Sequence, residues 1–222
     1  MKLSPNQLIR EIRSTIDKER GGGTALQRFS RIRKRDPFRV LIATILSQRT
    51  RDENTDKAAG QLFAVYPSAK GLAGAPLRAV EQLIRPAGFY HVKARKIREV
   101  AKIVTKRYEG RVPSDLESLL ELPLVGRKTA NCVLVYGFGK AAIPVDTHVH
   151  RISNRLGIVH TKTPDQTEKQ LSQYFEKIHW IEVNEIMVRF GKEVCRPIGP
   201  RCRVCRLREC CEWYAKHGAK DQ

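Results

Sequence analysis

Apolar side chains recur at helical spacing along most of the chain. Between Leu8 and Ile16 they lie three or four positions apart, which predicts an amphipathic helix that begins near Pro5 and ends before Gly21. From Phe38 to Leu46 almost every residue is apolar, which indicates a helix buried on all sides. Alternating β-branched runs bounded by turns are absent. The pattern therefore predicts an all-α fold.

Further helices are predicted between proline and glycine turns. Their approximate ranges are 53–66, 76–84, 91–108, 114–122, 163–178 and 180–190. A polar segment from Ser47 to Asp52 directly follows the buried helix, and Phe89 lies in a turn after Gly88. No internal repeat or Gly/Ser linker interrupts the pattern, so any domain boundary must be packed.

The charge balance points to an anionic partner. The 222 residues include 42 lysines and arginines against 23 aspartates and glutamates, a net charge of +19. Nucleic acid is the first candidate partner and an anionic membrane surface the second. The basic run from Arg28 to Arg35 is equally compatible with a phosphate-contacting arm and with a solvated face. Without a spanning apolar run or a signal-peptide core, we expect a reducing, intracellular compartment.

The segment from Leu122 to Gly126, between two helical patterns, is typical of a helix–hairpin–helix motif. We expect Gly126 to adopt a backbone conformation that a side chain would forbid. The following helix would begin with unpaired N–H groups that can bind phosphate, with Arg127 beside them. The turn alone is equally compatible with an ordinary corner of a helical core.

Lys128 and Asp146 are the candidate catalytic residues. Lys128 lies in the first turn of its helix, where the helix dipole and Arg127 disfavour the ammonium form. A neutral amine is a nucleophile that can form a Schiff base. Asp146 occupies an N-cap position, where backbone amides would keep its carboxylate ionised opposite a developing sugar cation. A phosphate-binding lysine and a plain helix cap are the alternatives.

Five of the six cysteines lie between Cys195 and Cys211. In a reducing compartment this clustering favours metal ligation over disulfides. The spacing is compatible with a single zinc ion and with a [4Fe–4S] cluster. Cys210 is a neighbouring alternative for the fourth ligand. The candidate ligands are Cys195, Cys202, Cys205 and Cys211.

Three segments carry a resemblance to a known family: Leu122–Asn131, Val145–His148 and the cysteine loop. Over essentially its whole length the chain resembles the endonuclease III family of helix–hairpin–helix DNA glycosylases. The resemblance implies an all-helical fold of two lobes with DNA in the cleft between them. A six-helix lobe would span residues 30–140, with the hairpin at about 114–138, and a cluster lobe would combine residues 1–29 with 141–222.

The resemblance also implies an activity. The enzyme would remove oxidised pyrimidines from double-stranded DNA and nick the abasic strand by β-elimination. Lys128 would attack C1′ of the damaged nucleotide, Asp146 would assist base loss, and the four cysteines would hold a [4Fe–4S] cluster. We expect a monomer without a membrane partner, associated with the nucleoid of a prokaryotic cell.

A flipped base leaves a gap in the duplex that the protein must fill. The family fills it with a glutamine whose position falls on Arg49, with Gln48 just before it, and Gln48 is preferred. An apolar wedge from another loop matches Phe89. The remaining residues expected to contact DNA are Gly126, Arg127, Thr129, His148 and Arg151. Leu124 stands where the family usually has glycine, which predicts a slightly different hairpin geometry.

Two other functions are compatible with these motifs. One is a monofunctional mismatch glycosylase of the same superfamily, although relatives of that kind lack a lysine at the Lys128 position. The other is a non-enzymatic protein that uses the hairpin as a phosphate clamp. Base release without strand nicking would distinguish the first, and tight salt-sensitive binding to unaltered DNA the second.

Overall fold

The computed structural model describes residues 3–16 and 36–218, which are helical and contain no strand. The predicted all-α fold is therefore confirmed. These residues fall into two compact units, one formed by 3–16 and 141–218 and the other by 36–140. The lobe boundary predicted at residues 29 and 30 and the basic run Arg28–Arg35 lie outside the described residues. In the part of the chain that the structure describes, no helix is long and apolar enough to cross a membrane.

The α-helices are numbered along the described chain. They are α1 (Pro5–Thr15), α2 (Pro37–Ser47), α3 (Asp52–Val65), α4 (Ala69–Gly74), α5 (Leu77–Leu83), α6 (Tyr90–Arg107), α7 (Leu116–Leu120), α8 (Arg127–Cys132), α9 (Thr147–Arg155), α10 (Pro164–Tyr174), α11 (Trp180–Glu193) and α12 (Glu212–His217). A π-helical turn, Val133–Gly137, continues α8.

Helix α2 is the centre of the unit formed by residues 36–140. Asp36 caps its start by accepting hydrogen bonds from the amides of Phe38 and Arg39, at 3.0 and 3.1 Å, and Pro37 supplies the fixed φ suited to a first helical turn. Every residue from Phe38 to Leu46 is buried, as the apolar run predicted. Helices α3, α6 and α8 pack around it. The residues that follow its C-terminal end contact the turn before α6 and the hairpin before α8.

The other unit is built on α1, α9 and α11. Their apolar faces share one core that includes Leu8, Ile12, Ile152 and Phe190, together with Leu207 of the cysteine loop. Burying each such side chain contributes about 1.5–3 kcal/mol. This packing fixes α9, whose first residue follows Asp146.

Helices α4 and α10 differ from the predictions. Helix α4 was not predicted, because two glycines in six residues weaken its pattern. Ser68 nevertheless caps it by accepting from the amide of Gly71 at 3.2 Å. Helix α10 ends at Tyr174 instead of near Ile178, since Phe175 is extended and buried. The Phe175 carbonyl accepts a hydrogen bond from Nε1 of Trp180 at 2.8 Å.

Candidate functional site

The hairpin joins α7 to α8, and α8 begins directly after Gly126 as predicted. The expectation for Gly126 itself was wrong. Its φ is −86°, ordinary for any residue, and a Cβ there would meet nothing within 4 Å. The left-handed backbone lies two residues earlier, at Leu124, where φ is 59°. That conformation explains why glycine suits the position of Leu124.

Lys128 is the second residue of α8 and is half-buried. Arg127, at the first helical position, is exposed, whereas Thr129 is buried. The hairpin thus presents two cationic residues at the positive end of a helix.

Gln48 supports this hairpin from the end of α2. Its Nε2 donates to the carbonyl of Leu124 at 2.8 Å and lies 3.3 Å from Oγ1 of Thr129. The side chain of Gln48 is therefore committed to the hairpin turn. Arg49, the other candidate for filling the gap left by a flipped base, is exposed.

Arg49 and Phe89 form a pair across two loops. Both have left-handed backbones, with φ of 50° and 57°, and the Arg49 guanidinium lies 5.8 Å from the centroid of the Phe89 ring. Phe89 is 63% exposed. Gly88 makes the approach possible, because a Cβ there would come within 2.7 Å of the Arg49 carbonyl oxygen. The two predicted DNA-contacting side chains are thus brought together.

Lys93 holds the base of the same two loops, and sequence reasoning missed it. Only 3% exposed, its Nζ donates to the carbonyls of Leu46 and Gln48 at 2.8 and 2.5 Å and to Oγ1 of Thr50 at 2.9 Å. Burial lowers its pKa from 10.5 to about 8. The available signal was a lysine on the apolar stripe of α6, four positions before Ile97.

Asp146 is the N-cap of α9, as predicted. Its Oδ1 accepts from the amides of His148 and Val149, both at 2.9 Å. The buried Asn184 of α11 donates to the carbonyl of Pro144 at 2.7 Å and fixes the approach to this cap. Asp146 belongs to the unit that includes residues 141–218, and Lys128 to the unit formed by residues 36–140.

Arg151 links α9 to the cysteine loop, and His148 lies beside it. Nη2 of Arg151 donates to the carbonyl of Cys195 at 2.8 Å and lies 3.1 Å from Nδ1 of His148. Burial lowers the pKa of His148; the negative charge of Asp146 opposes this shift, while Arg151 and Lys192 reinforce it. At Gly191 a Cβ would lie 2.4 Å from Nδ1 of His148. Contact of His148 and Arg151 with DNA stays a prediction.

The four candidate ligands line one cavity in the cysteine loop, together with Arg155, Phe190 and Trp213. Cys210, the remaining cysteine of this loop, lines a different cavity beside Leu3 and Tyr174. This separation favours Cys211 over Cys210 as the fourth ligand. Among the described residues, no group of three His, Cys, Asp or Glu side chains converges as a single-ion site would require.

Charge on the cysteine thiols is disfavoured at this site. Burial raises the pKa of Cys205 to about 12, and the neighbouring charges of Cys195, Cys211 and Cys202 add to this shift. Four thiolates therefore repel one another here unless metal ions neutralise them. Thiolates spread around a cavity suit the corners of an iron–sulfur cluster.

Arg155 braces the rim of this cavity. Its guanidinium donates to the carbonyls of Arg196 and Pro197 at 2.7 and 2.9 Å and lies 4.7 Å from the centroid of the Trp213 ring. Nη1 also approaches Sγ of Cys195 at 3.6 Å. The loop is thus tied to the end of α9.

Comparison with known proteins identifies relatives of this chain. Residues 42–177 match the family model of the HhH-GPD superfamily base excision DNA repair proteins. Endonuclease III of Thermotoga maritima is 52% identical over 194 residues, covering 87% of this chain and 91% of the relative. A solved structure of a trapped covalent intermediate of endonuclease III with DNA has a TM-score of 0.81 at 32% identity, covering 98% of this chain and 100% of that one. A thermostable thymine-DNA glycosylase also has a TM-score of 0.81, at 25% identity over 95% of this chain and 96% of that one.

Proposed function

Because the chain belongs to the endonuclease III family of HhH-GPD base-excision DNA repair proteins, a family of DNA glycosylase/lyases, we propose that it acts on oxidised pyrimidines in double-stranded DNA. It removes the damaged base and then cleaves the abasic strand. The observation that carries the proposal is the pair of helix starts, with Lys128 after the hairpin turn and Asp146 at the cap of α9.

Lys128 is the proposed nucleophile. Its amine attacks C1′ of the damaged nucleotide as the N-glycosidic bond breaks, and the pyrimidine leaves with the bonding electrons. Ring opening gives a Schiff base between Nζ and C1′. Loss of a proton from C2′ then expels the 3′ phosphate, which is the β-elimination that nicks the strand.

Asp146 is the proposed electrostatic partner. Two backbone amides hold Oδ1 at 2.9 Å and so fix the position of the carboxylate at the start of α9. An ionised carboxylate stabilises the positive charge that develops on the sugar as the base departs.

DNA contacts are proposed for both loops and for the hairpin. Arg49 fills the gap left by the extruded base, and Phe89 enters beside the opposite strand. Gly126, Arg127 and Thr129 bind the phosphate backbone at the start of α8, and the open space above Gly126 allows a phosphate to approach closely. His148 and Arg151 contribute from α9. The working form is a monomer on nucleoid DNA.

We assign a [4Fe–4S] cluster to Cys195, Cys202, Cys205 and Cys211. The cluster supplies positive charge that neutralises the thiolates and holds the arginine-rich loop in shape. The shared cavity and the mutual repulsion of the thiolates support this choice. Zinc is the alternative, and iron and sulfide analysis of the purified protein decides between them.

Borohydride trapping tests the proposed reaction. Metal-loaded protein is mixed with thymine-glycol or abasic duplex and reduced, and the covalent complex is measured on a denaturing gel. We expect a trapped species with wild-type protein, none with Lys128→Gln, and full trapping with Lys102→Gln, which alters an exposed lysine of α6.

Three outcomes would contradict the proposal in different ways. Base release with no trapped species would indicate a monofunctional glycosylase. Tight binding with unchanged DNA would indicate a non-enzymatic protein. Trapping that persists in Lys128→Gln would move the nucleophile to another residue.

A further inference from the structure

The strongest feature outside the proposed chemistry is the buried amine of Lys93. It projects from the first turn of α6 and ends at the last turn of α2. Its three acceptors are the carbonyl oxygens of Leu46 and Gln48 and the hydroxyl of Thr50. A cation at this place satisfies carbonyl groups that a helix end leaves without partners and complements the negative end of the helix dipole.

Thr50 extends the contact to the second loop. Its Oγ1 accepts from Nζ of Lys93 at 2.9 Å and from the amide of Gly88 at 3.1 Å. The same hydroxyl donates to the carbonyl of Gln48 at 3.2 Å. One amine and one hydroxyl therefore join the loop at residues 46–50 to the turn at residues 88–89.

Each joined loop presents one strained residue. Arg49 and Phe89 both hold left-handed backbones, which residues with side chains adopt only where the surroundings enforce them. Arg49 lies between Gln48 and Thr50, whose oxygens contact Lys93, and Phe89 follows Gly88 directly. The hydrogen bonds of Lys93 and Thr50, called the Lys93–Thr50 clamp below, therefore hold the residues next to both strained positions.

We propose that Lys93 is a positioning residue for base opening, which holds Arg49 and Phe89 in the arrangement with which they enter the duplex. It acts through the two loops and does not itself touch DNA. This inference rests on the proposed function, because it assumes that Arg49 fills the gap left by the extruded base and that Phe89 enters beside the opposite strand.

Duplex opening is separated from chemistry by using two substrates. The first is a duplex with 2-aminopurine opposite a tetrahydrofuran abasic analogue, whose fluorescence rises when the base unstacks and which needs no catalysis. The second is a single-stranded oligonucleotide with a true abasic site, in which the reacting sugar is already accessible to Lys128. Single-turnover base release from thymine-glycol duplex completes the set.

The variants are Lys93→Met, which keeps the length of the side chain but removes its donors, and Thr50→Val, which keeps the volume but removes the hydroxyl. We expect Lys93→Met to lower duplex base release by about tenfold or more, the size of effect typical when a buried hydrogen-bonded charge is removed. The fluorescence rise is lost in parallel, while trapping on the single strand changes less than about twofold.

Two controls accompany these variants. Thr50→Ser keeps the hydroxyl, so we expect it to retain the duplex base release that Thr50→Val loses. Lys102→Met makes the same chemical change at an exposed position of α6 and leaves all three measurements at the wild-type value. If Lys93→Met fails to fold, the comparison of Thr50→Val with Thr50→Ser carries the test alone.

An equal loss on duplex and single-stranded substrates would overturn the inference, because it would show a general structural role. Wild-type fluorescence and base release in Lys93→Met would overturn it as well. Failure of the proposed function is distinguishable, since the wild-type protein would then release no base and trap no strand. In that case the fluorescence of wild type and Lys93→Met would still show whether the Lys93–Thr50 clamp affects duplex opening.

Discussion

Leu124 holds a backbone conformation that its side chain opposes. Its φ of 59° lies in the left-handed region, which costs a residue with a Cβ roughly 1–2 kcal/mol. Leu124→Gly removes that strain, while the added freedom of the unfolded chain offsets part of the gain. We expect a net increase of about 0.5–1 kcal/mol in the free energy of unfolding.

Denaturant unfolding of Leu124→Gly measures this difference, and Leu120→Gly is the matched control. Leu120 is similarly exposed, at 40% against 38%, but it is the last residue of α7 and has no left-handed backbone, so glycine there costs up to about 1 kcal/mol. Opposite signs for the two substitutions are expected. Equal destabilisation would show that Leu124 is not strained.

Lys93 gives the protein a stability that rises at alkaline pH. Its pKa in the folded protein, about 8, is lower than the 10.5 of an exposed lysine. Between these values the unfolded chain binds a proton that the folded protein lacks, so the free energy of unfolding increases with pH. We expect the wild type to gain on the order of 2 kcal/mol relative to Lys93→Met from pH 7 to pH 10.

Urea unfolding of both proteins across this pH range checks the gain. Comparing wild type with Lys93→Met cancels the titration of all other groups. A difference that stays constant with pH would mean that Lys93 retains an ordinary pKa.

At the scale of elements, the approach of two loops depends on Gly88. A Cβ at this position would lie 2.7 Å from the carbonyl oxygen of Arg49, closer than packed atoms allow. Gly88→Ala therefore forces the turn before α6 away from the end of α2. We expect a destabilisation of about 1–3 kcal/mol and a parallel loss of base release from duplex DNA.

Gly60→Ala is the matched control for this substitution. Gly60 lies in α3, where a Cβ would meet nothing within 4 Å, and alanine there favours the helix by up to about 1 kcal/mol. Thermal unfolding and single-turnover base release are measured on both variants. A stable, fully active Gly88→Ala would show that the loops need not approach so closely.

At the scale of the whole molecule, the net charge of +19 makes DNA binding depend on salt. Neutralising each phosphate releases condensed counterions, so the slope of log affinity against log salt counts phosphate contacts. We expect Arg127→Gln to reduce the magnitude of this slope by about 1, because Arg127 begins α8 beside the hairpin.

Fluorescence anisotropy with an undamaged duplex from low to high salt measures the slope. Lys102→Gln removes the same charge elsewhere and serves as the control. An identical change of slope in both variants would indicate a diffuse effect of net charge instead of a contact at the hairpin.

Local features of the site could be predicted from the sequence, and features that depend on distant partners could not. The caps before α2 and α9 involve neighbours two or three positions away, so both can be predicted from the local sequence, at Asp36-Pro37 and at Asp146. The partners of Lys93 lie 43 to 47 positions away, beyond any local pattern. Because glycine is conformationally permissive, the sequence predicts a left-handed backbone at Gly126. In the structure the left-handed residue of the hairpin is Leu124.

The burial of Lys93 has a consequence for chemical labelling. Acylating reagents reach exposed lysines such as Lys102 at once, but an amine that is 3% exposed reacts only after the loop at residues 46–50 separates from α6. The modification rate of this one side chain, followed by mass spectrometry, therefore records how often the loop opens. Duplex DNA seated on the loops is expected to slow that rate, which makes Lys93 an internal reporter of occupancy.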